Sequence, residues 1–421
     1  MSDVRRSGFK ERTRVATARQ RLLETDRIER TERIPLSAAD GRVVADPIDA
    51  ARDVPHYARA AMDGWAVRAE DTFGASDRSP SVLRPADSVG PDAAVRVHTG
   101  SELPAGADAV VKVEDVETVN DDLEVFDAVA GGENVAPVGE DVEAGQRLYD
   151  PGDQLRPSDL GLLKATGVDV VEAVAEPEVA VVPTGEELVQ ADPAPGEVIE
   201  TNRFTVSRLA ERWGADVTRR NIVTDDFEAL RAAVERDLTR DVVVTTGGSS
   251  VGERDLIPEV VEELGEVFVH GVALKPGHPV ALGRVNGVTV VMLPGYPVAA
   301  IVNAVQFLRP LIKHLGRMPA HPLPTREATL TRKIRSEPGV KTFARVKLER
   351  VSQGDQNGSS GEGNGPRDES DDGLEATPTR ASGAGVLSSV ALADGWVVVP
   401  EPREGIPAGE TVAVENWEYH E

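Results

Sequence analysis

The 421-residue sequence has no cysteine. This excludes disulfides, thiolate metal sites and cysteine nucleophiles, and leaves carboxylates, histidine, lysine and backbone groups to carry any chemistry. No apolar run is long enough to cross a bilayer, and the start, MSDVRRSGFKERTRVATARQ, lacks the apolar core of a signal peptide. A cytoplasmic location is therefore expected, with no membrane partner. Positive charge is scarce: 46 Lys and Arg stand against 72 Asp and Glu, a formal net charge of -26. A field of that sign repels nucleic acid, so nucleic acid is not an expected partner. Only eight of the basic residues are lysines. Such a carboxylate-rich, lysine-poor surface suits a halophilic, salt-rich cytoplasm, where it stays hydrated.

What is present exceeds the needs of one core, since 40% of the chain is apolar, and several domains are expected. Residues 15–32 read as a surface helix and GRVVADPI as a short strand. With 146–178, which holds a short helix at 157–167 capped by Ser158, residues 1–50 form an N-terminal linking module. Residues 51–145 alternate short β-type runs with Gly, Pro and Asp clusters and read as a small β-rich domain. From 179 to 318, strands near 179–182, 221–223, 242–244, 267–274 and 288–293 alternate with helices. One carries Val206, Leu209, Ala210 and Trp213, the next Phe227, Leu230, Val234 and Leu238, the third Leu256, Val260 and Leu264, and the last begins at Pro297. The pattern predicts an α/β domain with a doubly wound, mostly parallel sheet that binds ligands beyond the carboxyl ends of its strands. Residues 319–421 return to β character, with strands expected at 328–333, 343–351, 386–390, 395–399 and 411–414. Within them 353–381 is almost devoid of apolar residues and reads as a disordered hairpin insertion.

Three turns in the α/β domain stand where strands end. In DVVVTTGGSSVGERD (241–255), Gly247 and Gly248 allow close backbone approach, Ser249 and Ser250 offer hydroxyl donors, and the following helix directs N–H groups toward an anion. The same glycines also suit a plain strand-to-helix turn with Asp255 as its cap. PTGEEL ends a strand with Thr184, Gly185 and Glu187, and LPGYP ends another with Pro294, Gly295 and Pro297. If these ends share one crevice, Glu187 and Asp255, with Asp225 as a third candidate, could hold a hydrated Mg2+ against ligand phosphates. Each acid alone is equally suited to a helix cap or solvated surface. In KPGHP, a stiff loop aims Lys275 at the crevice, while His278 is either an anion donor or a loop residue. Asp63 in AAMDGWAV, and Glu140 and Asp141 in GEDV, sit in turns where acidic residues are common, and nothing in the residues themselves selects catalysis.

Taken in order, AAMDGWAV, HTGSELPAGADAVV, GEDV, PTGEEL, TTGGSSVGERD, KPGHP and LPGYP resemble the MoeA family of molybdopterin molybdenumtransferases, related to the E domain of gephyrin. The resemblance covers nearly the whole chain. It implies an elongated multi-domain homodimer that converts adenylylated molybdopterin and molybdate into molybdenum cofactor with release of AMP, assisted by Mg2+. An adenylyltransferase is an implied supplying partner. It also implies that Thr184, Gly185, Glu187 and Asp225, with Gly247, Gly248, Ser249, Ser250, Gly252 and Asp255, line the pterin and nucleotide crevice. Glu187, Asp225 and Asp255 would be the metal ligands. Lys275 and the Pro294, Gly295 and Pro297 loop match the oxyanion site, and Asp63 and Asp141 are expected to face the crevice from the partner subunit. His278 stands where many relatives have a second lysine, and Tyr296 replaces the common asparagine of LPGNP. The alternatives are a tungstate-inserting paralogue, a molybdopterin adenylyltransferase, whose single domain would resemble 179–315, and a gephyrin-like scaffold.

Overall fold

The computed structural model describes residues 12–247, 256–350, 373–379 and 385–419. They fall into two compact units, Thr31–Val174 and a second composed of Met1–Arg30 with Ala175–Glu421. Among the described residues no helix is long and apolar enough to cross a membrane.

In the unit Thr31–Val174 the two ends of the segment pair with each other. The strand Thr31–Pro35 runs antiparallel to Val170–Val174, over a small core of Ile34, Val44, Leu155, Leu163 and Val171. The helix here is Pro157–Ala165, and its start differs from expectation. Pro157 takes the first turn, where no N–H is needed, and the Asp159 carboxylate accepts the Arg156 N–H at 2.8 Å. Ser158 is therefore inside the helix and not its cap. Between the paired ends lies a six-stranded sheet that includes Gly64–Val67, Ala93–Val97 and Ala109–Lys112. Its alternating apolar positions Val67, Leu83, Val111, Leu123 and Val125 are buried together, as a half-buried sheet demands.

The α/β region contains, in chain order, β1 (Glu178–Pro183), α1 (Asn202–Arg212), β2 (Asp216–Arg219), α2 (Phe227–Arg236), β3 (Val242–Thr246), α3 (Leu256–Leu264), β4 (Glu266–His270), β5 (Ala281–Val285), β6 (Val288–Leu293) and α4 (Pro297–Asn303). The sheet order is β2-β1-β3-β6-β5-β4. It is parallel from β2 to β6 and antiparallel across β5 and β4. Continuous apolar runs such as VVV in β3 arise because both faces are covered. On one face Val182, Val243, Val290 and Met292 meet Leu230 and Val234 of α2 and Ile257, Val260 and Val261 of α3. Val206, Leu209 and Ala210 of α1 are likewise buried, and α1 packs on β1 and on α4. Each such buried aliphatic side chain contributes about 1.5–3 kcal/mol relative to exposure.

Five details differ from the pattern-based expectations. The strand expected over 267–274 stops at His270, and Leu274–Lys275 pairs instead with Lys341–Arg350 of the C-terminal sheet. β5, ALGRV, is a strand whose glycine and arginine interrupt the apolar pattern, and the short strand expected at 221–223 lies at Asp216–Arg219. In the C-terminal region 386–390 is not a strand. Ser388–Ala391 forms a helical turn, with the Ser389 hydroxyl donating to the Val386 carbonyl at 2.7 Å, a local bond that competes with a sheet ladder. Finally, Leu374–Pro378, inside the insertion expected to be disordered over 353–381, is a strand paired with Lys341–Arg350 and Thr325–Leu330. Its period-two pattern puts Ala376 into the core beside Leu330, Val346 and Val397, a signal diluted by averaging over the whole polar stretch. Residues 353–372 and 380–381 of that segment lie outside the described residues.

The N-terminal helix is also shorter than 15–32: it spans Val15–Leu22, beyond which the Ile28 N–H turns to the Leu315 carbonyl at 3.0 Å. Its inner face, Val15, Ala18 and Leu22, is buried, and Arg19 docks it. After α4 the chain continues through a π-helical segment, Ala304–Leu308, into Arg309–Leu315. Pro310 has no N–H to give the carbonyl four residues earlier, that of Gln306. Arg19 supplies the donor, with Nε on that carbonyl at 3.2 Å and Nη2 on the Gln306 side-chain oxygen at 2.8 Å. Hydrogen bonds to charged groups contribute about 1.5–3 kcal/mol. Arg19→Met is therefore expected to lower the urea unfolding midpoint, and by less in a Pro310→Ala background, where an N–H becomes available to Gln306. Equal losses in the two backgrounds, measured as a double-mutant cycle, would refute the compensation.

Candidate functional site

Three neighbouring parallel strands, β1, β3 and β6, end in register. Pro183 lies beside Thr246, and Thr246 beside Leu293. The turns that follow therefore meet: the Thr184 N–H donates to the Thr246 carbonyl at 3.1 Å and the Gly247 N–H to the Leu293 carbonyl at 3.1 Å. The Gly185 N–H donates to the Val223 carbonyl at 3.1 Å, and Thr184 bridges Val223. Asp225, two residues past Val223, and Glu187, two past Gly185, thus leave the same edge. Glu187 is exposed and Asp225 half-buried.

The glycines differ in why they are needed. Gly247 has φ +118, and a Cβ there would stand 2.0 Å from the Thr184 carbonyl oxygen, so the protein's own packing requires it. Gly185 has φ +151, and a Cβ would meet the Glu187 carboxylate at 2.8 Å. Gly295 is different. It is exposed, its φ is not among the positive values, and the nearest atom to an added Cβ is the Gly247 Cα at 3.4 Å, an ordinary contact. Among the described residues nothing demands glycine at 295. Beneath this edge the hydroxyls of Thr184, Thr245 and Thr246 are buried without a hydrogen-bond partner among the described residues. Each such group costs about 1–3 kcal/mol, comparable with the burial of one valine, so the aliphatic strand interiors offset them.

Two asparagines that sequence reasoning missed hold the loops. Asn202, at the start of α1, donates its amide to the Gly295 carbonyl at 2.6 Å. Asn303, fully buried at the end of α4, donates to the Gly277 carbonyl at 2.9 Å and the Ala299 carbonyl at 2.8 Å. Gly277, in the KPGHP loop, has φ +110, and a Cβ there would lie 2.2 Å from the Asn303 amide nitrogen. The legible signal was Asn303 itself, a polar residue closing the otherwise apolar helix PVAAIVN.

Lys275 is exposed, with its Nζ 3.2 Å from a Glu337 carboxylate oxygen that is exposed too. An exposed pair is worth about 0–1 kcal/mol, so an incoming anion can compete for the ammonium. Burial, Arg12 and Lys275 hold the His278 imidazole below its usual pKa of 6.5, partly opposed by Glu337. At neutral pH it therefore presents a neutral ring, not a fixed charge. Pro294 is buried and Pro297 opens α4. Gly248, Ser249, Ser250, Gly252 and Asp255 lie outside the described residues. Among the described residues no group of three or more acidic or histidine side chains forms a metal site.

In the unit Thr31–Val174, Asp63 directly precedes the strand Gly64–Val67. Its carboxylate accepts the Thr99 N–H at 2.7 Å and the Thr99 hydroxyl at 2.8 Å. These bonds, led by the backbone one, hold its pKa below the ordinary 3.8, with smaller help from His98 and Arg96. Asp141 is exposed, its N–H on the Val54 carbonyl at 2.9 Å, and Glu140 approaches Arg59 at 3.9 Å.

Comparison with known proteins bears on all three regions. Residues 13–167 match a family described as the MoeA N-terminal region (domain I and II), 180–314 a probable molybdopterin binding domain, and 367–417 the MoeA C-terminal region (domain IV). A putative molybdopterin biosynthesis protein of Methanocaldococcus jannaschii is 34% identical over 402 residues, covering 92% of this chain and 93% of that protein. A molybdopterin molybdenumtransferase of Haemophilus influenzae is 30% identical over 400 residues, covering 92% and 94%. A crystal structure of a molybdopterin biosynthesis moeA protein from Pyrococcus horikoshii superposes with TM-score 0.78 at 33% identity, covering 97% of this chain and 100% of that one.

The contrast between glycines makes a sharp expectation. Gly295→Ala should keep the wild-type melting temperature and weaken phosphate-ligand binding, whereas Gly247→Ala should lower the melting temperature itself. Calorimetric binding and thermal melts on both variants check this, and unchanged binding in folded Gly295→Ala would remove the ligand explanation for that glycine.

Proposed function

The chain belongs to the MoeA family, and on that premise we propose that it is a molybdopterin molybdenumtransferase. It takes adenylylated molybdopterin and molybdate, breaks the phosphoanhydride with release of AMP, and delivers molybdenum cofactor. The observation that carries this reading is the strand-end edge where the turns at Thr184, Gly247 and Gly295 meet, with Gly295 exposed and without side-chain bulk.

The chemistry asks for positioning and charge neutralisation, which the residues supply. Phosphates lie against the glycine turns, including the serine-rich part of the 241–255 segment. Lys275 gives up its weak contact with Glu337 to pair with an oxyanion, and His278 donates from a neutral ring. Asn202 and Asn303 keep the Gly295 and Gly277 loops in place, so that little ordering remains to be done on binding. Molybdate exchanges oxygens for the dithiolene sulfurs, which belong to the ligand, so a chain with no cysteine loses nothing.

Mg2+ suits the donor set, because a hydrated ion held by carboxylates and substrate phosphates needs no all-protein cage. Glu187 and Asp225, with Asp255, would hold it, and bound there it neutralises charge on the phosphates. Asp63 and Asp141 act from a second copy of the chain in a homodimer. The hydrogen bonds from Thr99 keep Asp63 ionised for that role. An adenylyltransferase hands over the nucleotide substrate, and the acidic surface keeps the protein soluble in a salt-rich cytoplasm.

Purified protein is expected to release AMP from adenylylated molybdopterin only when molybdate is added. Asp225→Ala and Asp63→Ala should each lower the rate by on the order of 100-fold or more, and mixing the two variants should restore part of it through hybrid dimers that carry one intact site. ATP-dependent formation of the nucleotide would instead identify an adenylyltransferase. No AMP release by the wild type with molybdate present would identify a scaffold, and unchanged rates in both variants would remove these two acids from the reading.

A further inference from the structure

Tyr296 follows Gly295 directly and is 61% exposed, in a chain with only 4% aromatic residues. Its backbone is held on both sides. The preceding Gly295 carbonyl accepts the Asn202 amide at 2.6 Å, and the Tyr296 carbonyl accepts the Ala300 N–H at 2.9 Å in the first turn of α4. Pro297, next in sequence, stiffens the junction further. The ring is therefore carried by a rigid arm and has only two side-chain torsions to fix, which keeps the entropy of ordering it on a ligand small. Gly385 lies alongside: a Cβ there would be 3.4 Å from the ring Cδ1 and 3.8 Å from Cε1.

Among the described residues the other exposed aromatic rings do not share this placement. Phe204, 60% exposed, has the Arg208 guanidinium 5.7 Å from its ring centroid. Phe73 lies in the other unit, and Tyr419 near the chain's end. Tyr296 alone among them stands next to an exposed glycine that no contact among the described residues requires.

We propose that the Tyr296 ring is the stacking platform for a planar heterocycle of the ligand whose phosphates take the Gly185, Gly247 and Gly295 edge. The proposal rests on the transferase reading, whose substrate carries two flat rings, a purine and the aminopyrimidinone ring of the pterin. Both present a π-face to a phenol ring, and stacking of this kind tolerates either.

Two probes separate the sources: AMP, which has only the purine, and a pterin with a phosphorylated side chain, which has only the pterin. Calorimetric affinities for both are measured with wild type and with Tyr296→Ala, Tyr296→Leu and Tyr296→Phe, alongside thermal melts. One probe should bind on the order of tenfold or more weaker to the Ala and Leu variants, should keep wild-type affinity for the Phe variant, and thereby names the ring that stacks. Unchanged affinity for both probes in Tyr296→Ala overturns the proposal. So does full retention by Tyr296→Leu, which would show that bulk against Gly385 matters and the ring face does not. If wild type binds neither probe and releases no AMP, the transferase reading fails as well. If wild type is active while Tyr296→Ala binds like it, only the platform fails.

Discussion

A side chain at position 247 would bring its Cβ to 2.0 Å from the Thr184 carbonyl oxygen, and the arrangement of the whole α/β edge depends on that contact being left open. Because β1 and β3 are parallel and in register, their ends emerge side by side, and the first residue past β3 must cross directly over the end of β1. Only glycine passes there, and its φ of +118 sends the chain toward β6. The Gly247 N–H then closes on the Leu293 carbonyl. One steric limit thus joins three turns into one surface, and the same contact brings Gly295 beside Gly247 and, through Asn202, ties that surface to α1. The KPGHP loop is held by the same logic at Gly277 and Asn303. A flexible version of these turns would bind an anion with the same groups but would lose affinity to ordering.

The chain's charge makes this local rigidity more important. With a net charge of -26, the long-range field opposes an anionic substrate. Salt screens it over roughly 8–10 Å at ordinary ionic strength and over shorter distances in brine. At contact the balance would be different, because groups such as the exposed Lys275 ammonium would act at hydrogen-bond distance, where screening by mobile ions is weak. Binding is therefore expected to rely on fixed short-range donors and little on steering. The neutral His278 ring fits such a site, since a neutral donor is indifferent to salt.

Much of this was legible in the residues. The 3.6-residue spacing of Val206, Leu209, Ala210 and Trp213 marked α1, and the VVV run of β3 marked a strand covered on both faces. The glycine at 247 stands where a strand runs into a turn. Other elements were hidden for identifiable reasons. β5 carries Gly283 and Arg284, so its apolar pattern breaks although β6 pairs along its length. Leu374–Pro378 is a strand only because its neighbours bury Ala376, which a polar average over the surrounding segment conceals. Arg19 was unreadable in advance, because its role exists only where Pro310, far along the chain, leaves the Gln306 carbonyl open. At the site, residue types predicted which turns matter but not what holds them. That depends on Asn202 and Asn303 reaching glycine carbonyls distant in sequence.

The most direct test of the central claim, that the joined turns past β1, β3 and β6 receive the phosphates of a nucleotide, is a crystal structure of the protein with AMP bound. The account predicts the phosphate within hydrogen-bonding distance of the backbone in these turns, over Gly247 and Gly295, with the Thr184 carbonyl still packed against Gly247. A nucleotide seated at the opposite edge of the sheet, or a phosphate held only by side chains away from these turns, would contradict it.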